Sequence, residues 1–242
     1  MRNLLLLTLL VAACAPADPP QAELSDAEAL IARSIDFHDP DGMWYTRAHR
    51  LDLDEKRPDG SMRKTGMRLD PLARSFGMRQ DRGEDVVEAY VDAENCAATV
   101  NGVLPDSTVA ARYRLVCPDG PAWWREYYAF MHGLPMKLQD EGALVEPGVI
   151  DTTFMGQPVR QVRVTYDPAV GSDIWYFYFH PETSALVGSR FYHDEAANDG
   201  EYIAFDGTLA ADGMQLVRTI HWYTNADGRF LGSDSLTAYS AD

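Results

Sequence analysis

Eight Asp-Gly or Asn-Gly pairs divide the chain after residue 40 into short segments that are rich in β-branched and aromatic residues. These dipeptides favour the positive backbone angles of tight turns, so their number predicts a sheet built from antiparallel hairpins. The pairs begin at Asp41, Asp59, Asn101, Asp119, Asp199, Asp206, Asp212 and Asp227. The predicted strands span residues 44–53, 61–69, 73–80, 86–94, 158–166, 174–180, 186–193, 201–209, 214–223 and 229–239.

Two segments carry helical periodicity instead. Ser25 opens a capping-box pattern, and apolar residues then recur at helical spacing, which predicts a helix over residues 26–37. Residues 121–132 predict a second helix, because Pro121 suits a first turn and Gly133 suits a C-terminal cap. The six aromatic or Met side chains of this second helix span roughly 160° of arc, which is wider than a usual core stripe. Such a helix needs a broad apolar surface, and the concave face of a curved antiparallel sheet is the simplest one.

The segment Ile174–His180 is the most informative of the predicted strands. Side chains alternate along a strand, so Trp175, Phe177 and Phe179 share one face while Tyr176 and its alternate neighbours occupy the other. Both faces are predominantly aromatic or aliphatic. The pattern predicts a strand that is covered on both sides.

Composition excludes several classes of protein. Hydrophobic residues make up 46% of the 242 positions, which is enough to build a core and excludes an intrinsically disordered chain. Lys and Arg number 21 against 37 Asp and Glu, so the formal net charge is −16. A surface this acidic repels a polyanion, and therefore no nucleic acid is expected among the partners.

The N-terminus has the pattern of an export signal. Arg2 precedes an apolar run over Leu4–Val11 that is too short to span a bilayer, so residues 1–13 are predicted to be a cleaved signal peptide. The run ends in Val11-Ala12-Ala13-Cys14, which resembles the lipobox of bacterial lipoproteins. The resemblance implies that Cys14 carries acyl chains, and two or three such chains hold a protein on a membrane durably.

The residues that follow the lipobox predict the location of the protein and the boundaries of its domain. Position 15 is Ala. In Gram-negative lipoproteins, Asp at this position retains the protein at the inner membrane. The resemblance therefore implies that this protein lies at the periplasmic face of the outer membrane. Residues 14–24 are rich in proline and predict a semi-rigid linker. Residues 25–242 are predicted to form one domain, since no second linker interrupts the pattern.

Two cysteines remain besides the predicted anchor. Cys96 and Cys117 form an even pair in a chain whose signal directs it to an oxidising compartment, so a disulfide is expected. Two buried free thiols are the alternative. A metal site is disfavoured because neither cysteine has a second Cys or His at ligand spacing.

The predicted architecture resembles the curved, incompletely closed antiparallel barrel of outer-membrane lipoprotein carriers and related Lol-like proteins. A closer resemblance is to a domain-of-unknown-function family of bacterial lipoproteins, through three stretches: Ala32–His38 with Trp44, Tyr127–Leu138 with Pro147-Gly148, and Val162–Leu186. The resemblance implies an α+β fold, with helices capping a half β-barrel, and a hydrophobic cavity for a lipid or a lipidated partner. It supplies no catalytic residues.

The leading functional hypothesis is therefore binding of an apolar or acyl ligand between the second helix and the concave sheet. The residues predicted to line this site are Trp123, Tyr127, Phe130, Met131, Trp175, Phe177 and Phe179. The same residues are also typical of a plain core, and periodicity does not separate the two roles.

No catalytic, metal or cofactor site is predicted. The chain lacks the G-x-S-x-G, H-E-x-x-H, P-loop and dinucleotide-binding patterns. Two alternatives stay open. One is a periplasmic hydrolase that uses carboxylates and one histidine, such as His180 or His221. The other is an envelope scaffold, which would have a filled barrel and an exposed apolar patch.

Overall fold

The computed structural model describes residues 23–242, so the predicted signal peptide, Cys14 and most of the linker lie outside the described residues. The helices are α1 (Asp26–His38), α2 (Ser107–Tyr113) and α3 (Asp119–His132), with short 3₁₀ helices at Met136–Gln139 and Glu195–Ala197. The strands are β1 (His49–Lys56), β2 (Met62–Asp70), β3 (Ser75–Asp81), β4 (Val86–Val91), β5 (Cys96–Val100), β6 (Ala143–Val145), β7 (Ile150–Phe154), β8 (Gln157–Tyr166), β9 (Ile174–Phe179), β10 (Leu186–Tyr192), β11 (Glu201–Ala211), β12 (Met214–Thr224) and β13 (Phe230–Ala241).

The thirteen strands of residues 23–242 belong to one antiparallel sheet. Its order is β5-β4-β3-β2-β1-β13-β12-β11-β10-β9-β8-β6, and β7 also pairs with β8. Within the described part of the chain the sheet does not close on itself, and helices α1 and α3 pack on its concave face. The predicted α+β architecture, an incomplete barrel capped by helices, is confirmed.

The turn dipeptides explain part of this topology. The pairs that begin at Asp59, Asp199, Asp212 and Asp227 lie between consecutive strands. The other pairs lie elsewhere: Asp119-Gly120 opens α3 and Asp206-Gly207 lies inside β11, whereas the pairs at Asp41 and Asn101 occupy turns beside helices.

Two features of the strand predictions were wrong. Strand β1 begins at His49 rather than at residue 44, because the Asp39 carboxylate accepts the backbone N–H groups of Met43 at 2.7 Å and Trp44 at 2.8 Å and holds this segment in turns. The prediction also missed β5, β6, β7 and α2. Strands β5, β6 and β7 have three to five residues each, which is too short for alternation to be distinctive.

Helix α1 matches its prediction closely. The Ser25 capping box is present, and Ala27, Leu30 and Ile31 are buried. At the other end of the helix, the buried His38 side chain accepts the Leu186 N–H at 3.1 Å and hydrogen-bonds to the Gln215 carbonyl. Because Leu186 lies in β10 and Gln215 in β12, this histidine fixes α1 across the middle of the sheet.

Candidate functional site

Helix α3 crosses the concave face and buries Trp124, Tyr128 and Met131 against the sheet. The helix begins at Asp119, two residues earlier than predicted, and Gly133 follows it. A Cβ atom on Gly133 would lie 2.4 Å from the Ala129 carbonyl oxygen and 2.5 Å from the Trp44 ring, so only glycine fits there. The close approach lets the chain turn directly from α3 towards the next 3₁₀ helix.

The disulfide between Cys96 and Cys117 links β5 to the segment that immediately precedes α3. The two Cα atoms are 5.8 Å apart. The structure therefore contains the predicted disulfide rather than two free thiols. The bond fixes the N-terminal end of α3 to the edge of the sheet.

Along one side of α3, aromatic side chains from the helix meet aromatic side chains from the sheet. The ring centroids of Trp123 and Tyr127 are 5.3 Å apart, and Tyr127 in turn stacks on Trp222 of β12 at 6.1 Å. The Phe130 ring meets Trp175 of β9 at 5.1 Å. We call this set, completed by Phe191, the aromatic rim: Trp123, Tyr127, Phe130, Trp175, Phe191 and Trp222. Each member is partly exposed to solvent.

An open groove of about 460 Å³ lies between α3, the 3₁₀ segment after it and the loop that leads into β9. Its apolar lining consists of Trp123, Phe130, Tyr166, Val170 and Trp175. Polar groups surround this lining: Glu126, Lys137, Asp140, Glu141 and Asp173. An apolar strip with a polar edge is suited to a molecule that has an apolar part and a charged part.

The predicted ligand-binding residues therefore fall into two groups. Trp123, Phe130 and Trp175 line the groove, and Tyr127 lies beside them in the aromatic rim. The remaining three, Met131, Phe177 and Phe179, are core residues with at most 3% of their surface exposed. The space expected between the helix and the sheet is packed with such side chains, so the groove lies beside α3 rather than beneath it. Helical and strand periodicity identify an apolar face but not its distance from solvent.

Sequence reasoning missed Phe191 and Trp222. The two residues belong to predicted strands, but each stands next to a tyrosine, Tyr192 or Tyr223, and the sequence does not show which member of the pair faces α3. The Phe191 ring lies 4.8 Å from that of Trp175, its cross-strand neighbour in β9. Only the register of β9 with β10 reveals this pair.

A buried polar network lies beneath the other side of α3. Glu55 of β1 is fully buried and accepts hydrogen bonds from the Arg63 guanidinium and the Thr65 hydroxyl. The Tyr128 hydroxyl of α3 donates to Glu55 at 3.2 Å, and the Gln80 amide donates to the Tyr128 oxygen at 2.8 Å. The network thus connects the helix to three neighbouring strands through polar contacts.

Asp234 of β13 extends this network. It stands opposite Glu55 in the register of β1 with β13 and is 4% exposed. Burial, and after it the nearby Glu55 carboxylate, raise the pKa of Asp234 to about 7. Burial also lowers the pKa of His132 on α3 to about 4. Two adjacent carboxylates of this kind occur in some hydrolases, but α3 covers both of them here, so a substrate would reach them only if the helix moved.

The histidines named in the hydrolase hypothesis are placed differently. The His180 ring accepts the backbone N–H groups of Glu182 and Thr183 and so stabilises the turn after β9. His221 lies next to Ile220 in β12 and therefore faces the convex side of the sheet. Within residues 23–242 there is no group of three or more His, Cys, Asp or Glu side chains arranged to hold a metal ion. In the same range, no helix is long and apolar enough to cross a membrane.

Among three similar solved structures, the first one below supports the fold. An outer-membrane lipoprotein-sorting protein domain from Vibrio parahaemolyticus matches with a TM-score of 0.51 at 10% identity, covering 90% of this chain and 94% of that one. A LolA superfamily protein from Nitrosomonas europaea gives a TM-score of 0.46 at 7% identity, with 91% and 94% coverage. A DUF1329 family protein from Desulfovibrio piger gives 0.47 at 9% identity, with 90% and 94% coverage.

Comparison at the sequence level gives a family without a known activity. No curated protein matches the sequence. Residues 3–238, nearly the whole chain, match the model of a family of unknown function, DUF6503. The chain therefore belongs to the DUF6503 family.

Proposed function

We propose that this protein binds the apolar chain of an amphiphile in the groove beside α3 and that it does so at the periplasmic face of the outer membrane. The observation that carries the proposal is the partly exposed aromatic rim next to a groove of about 460 Å³. Exposed aromatic side chains in a concave site are typical of binding sites for apolar ligands. The resemblance of the fold to a lipoprotein-sorting domain supports the same class of ligand.

Burial of the chain supplies the free energy of binding. Each methylene group removed from water contributes about 0.8 kcal/mol, so a chain that buries ten of them contributes about 8 kcal/mol before the costs of association. The groove is open along its length, so only one side of a chain is covered. We therefore expect modest affinity and ready exchange, which suits a carrier better than a storage protein.

Two glycines allow a matched test of this site. Gly171 lines the groove, and a Cβ atom there would make only an ordinary contact of 3.8 Å with the Tyr166 Cβ atom. Gly148 is exposed, and a Cβ atom there would meet nothing within 4 Å. Gly171→Trp should fill the groove without disturbing the backbone, whereas Gly148→Trp adds the same side chain elsewhere on the surface.

The experiment is a fluorescence titration with the uncharged probe N-phenyl-1-naphthylamine, followed by displacement with monododecanoyl glycerol. The full chain carries Cys14→Ser, so that no acyl group of its own competes. We expect saturable binding that Gly171→Trp weakens at least tenfold and Gly148→Trp leaves unchanged. Equal binding by the two variants would exclude the groove as the site.

The proposed anchor is tested separately. The lipobox resemblance of residues 11–14 and the proline-rich linker over residues 14–24 support an acylated N-terminus followed by one domain over residues 25–242. Cells that express the chain are labelled with radioactive palmitate and fractionated. We expect label in the outer-membrane fraction and its loss in Cys14→Ser, with the protein then in the periplasmic extract. An unlabelled protein in that extract without any substitution would refute the anchor.

A further inference from the structure

We propose that one edge of the sheet lies against a zwitterionic lipid surface, so that the mouth of the groove opens towards the membrane. This inference rests on the proposed function, and within it on the anchor at Cys14, because the tether decides which part of the domain reaches the lipid. We call this surface the docking edge. It is formed by four exposed apolar residues: Leu24, Leu144, Ile150 and Val170.

Strands β6 and β7 form this edge of the sheet. Both pair with β8, on the side of β8 away from β9, and their outer sides have no neighbouring strand among residues 23–242. Leu144 of β6 is 54% exposed and Ile150 of β7 is 58% exposed. Edge strands of soluble proteins are usually protected by charged side chains, whereas these two carry exposed aliphatic ones. The edge therefore has the character of a contact surface.

The chain enters the described domain beside this edge. Leu24 lines a shallow depression with Ala143 and Val145 of β6, on the concave side of the strand. The backbone N–H of Ala27 donates to the Pro147 carbonyl, between β6 and β7, at 3.3 Å. These contacts hold the start of α1 against β6 and β7. The segment that leads back to the proposed anchor therefore joins the domain at the docking edge.

The tether is short. Cys14 precedes Glu23, the first described residue, by nine residues, which reach about 30 Å at full extension. An acylated Cys14 would keep the docking edge within this distance of the lipid, whereas β5 lies at the opposite end of the strand order. A short tether raises the local concentration of the edge at the lipid into the millimolar range, so even a weak apolar contact is occupied.

Val170 connects the docking edge to the groove. It is 60% exposed and lines the groove together with Trp175. It also packs beside Gly142, which directly precedes β6, since a Cβ atom added to that glycine would lie 2.7 Å from the Val170 side chain. The groove mouth and the docking edge are therefore parts of one surface. An amphiphile that leaves the lipid at this edge is next to the groove.

The charge near the docking edge determines the kind of lipid. Three segments surround the edge, and together they contain nine Asp or Glu and three Lys or Arg. These segments are residues 23–33, 137–151 and 163–173. Two of the three cations pair with carboxylates of the same segments, Lys137 with Asp140 and Arg163 with Glu146. An anionic membrane would repel this surface, so apolar contact at zwitterionic headgroups is what it fits.

The test places a fluorophore at the docking edge. The full chain with Leu144→Cys is extracted from membranes, labelled at the new thiol with a nitrobenzoxadiazole dye and reconstituted in phosphatidylcholine vesicles that carry headgroup nitroxides. Leu104→Cys is the matched control, because Leu104 is 85% exposed and follows β5 at the other end of the strand order. We expect the nitroxides to quench the dye at position 144 at least threefold more strongly than the dye at position 104.

Polar substitutions test whether the edge itself makes the contact. Leu24→Ser combined with Val170→Ser should reduce the quenching at position 144 at least twofold. The control pair, Val103→Ser combined with Val116→Ser, changes two similarly exposed apolar residues on either side of α2 and should leave the quenching unchanged.

Equal quenching at positions 144 and 104, or an equal effect of the two substituted pairs, would overturn the docking edge. A blue shift of the dye at position 144 that appears in detergent and grows with protein concentration would assign the edge to a second copy of this chain, and would also overturn the lipid contact. A chain that does not stay with the vesicles would refute the proposed anchor and this orientation with it. Ligand binding by the groove is decided separately, since the Cys14→Ser titration uses no vesicles.

Discussion

Replacing the buried carboxyl of Asp234 should change how the stability of this protein depends on pH. The folded protein holds a proton on Asp234 up to about pH 7, because burial and the adjacent Glu55 disfavour its charged form. An unfolded chain releases that proton near the ordinary value of 3.8. The stabilising contribution of the protonated group is therefore complete below about pH 4 and is lost as pH rises towards 7.

The size of the effect follows from the two pKa values. A difference between about 7 and 3.8, at 1.36 kcal/mol for each pH unit, sets an upper limit of about 4 kcal/mol for the stability lost by pH 8. Asp234→Asn keeps the shape and the oxygen acceptor but cannot ionise. We therefore expect the variant to be more stable than the parent protein at pH 8, by about 1–4 kcal/mol, and close to it at pH 4.5.

The difference in the free energy of unfolding between Asp234→Asn and the parent protein isolates the effect of Asp234 from that of other titrating groups. His132 acts in the opposite direction, because its lowered pKa makes the folded state lose stability as pH falls from 6.5 towards 4. That contribution is present in both proteins and cancels in the comparison. Urea unfolding, followed by tryptophan fluorescence at pH 4.5, 6 and 8, measures the free energies of unfolding.

The control is Asp151→Asn, at an exposed position on β7, which should show no pH-dependent difference from the parent. A stability difference for Asp234→Asn that stays constant across the three pH values would refute the reasoning. The reasoning would also be refuted if the stability of the variant relative to the parent were lower at pH 8 than at pH 4.5. Either result would mean that Asp234 is charged in the folded protein at acidic pH.

Three further substitutions test the packing around α3 and the sheet. Tyr128→Phe removes the hydroxyl that donates to Glu55 and should lower the free energy of unfolding by about 1–3 kcal/mol in urea titrations; an unchanged midpoint would mean that the bond contributes nothing. Gly188→Ala would place a Cβ atom 2.3 Å from a ring carbon of Phe154 on the convex face, so it should lower the melting temperature by several degrees. Gly77→Ala is the control, because its Cβ atom would lie 3.7 Å from the nearest side-chain atom, and it should leave the melting temperature unchanged. Cys117→Ser opens the disulfide loop and should lower the free energy of unfolding by about 3 kcal/mol. Adding reductant to the parent protein should cause an equal loss if the lost stability comes from the disulfide.

Local patterns in the sequence were enough to predict several elements. The capping box at Ser25 and the apolar spacing behind it gave α1 to within one residue at its C-terminal end. The alternation in Ile174–His180 predicted a strand covered on both faces, and in the structure Phe177 packs in the concave core while Tyr178 stacks on Phe154 at 4.3 Å on the convex side. These signals are local, because capping and alternation involve residues a few positions apart.

The candidate site was predictable only in part. The sequence identified α3 as an aromatic helix and assigned it to the concave face, which is correct. It did not separate Trp123, which is 40% exposed, from Phe177, which is fully buried. Their side chains are of similar hydrophobicity, so the difference comes from the position of each residue relative to the edge of the helix–sheet contact.

The sequence by itself predicted the hairpin turns at Asp59, Asp199, Asp212 and Asp227, the two long helices and the expected disulfide, because each depends on turn chemistry, periodicity or a simple count. Only the tertiary structure decided that Glu55 and Asp234 lie side by side and that Phe191 and Trp222 complete the aromatic rim. These residues are far apart along the chain, and the register between distant strands brings them together. Register is set by the packing of the whole sheet, so no local segment specifies it.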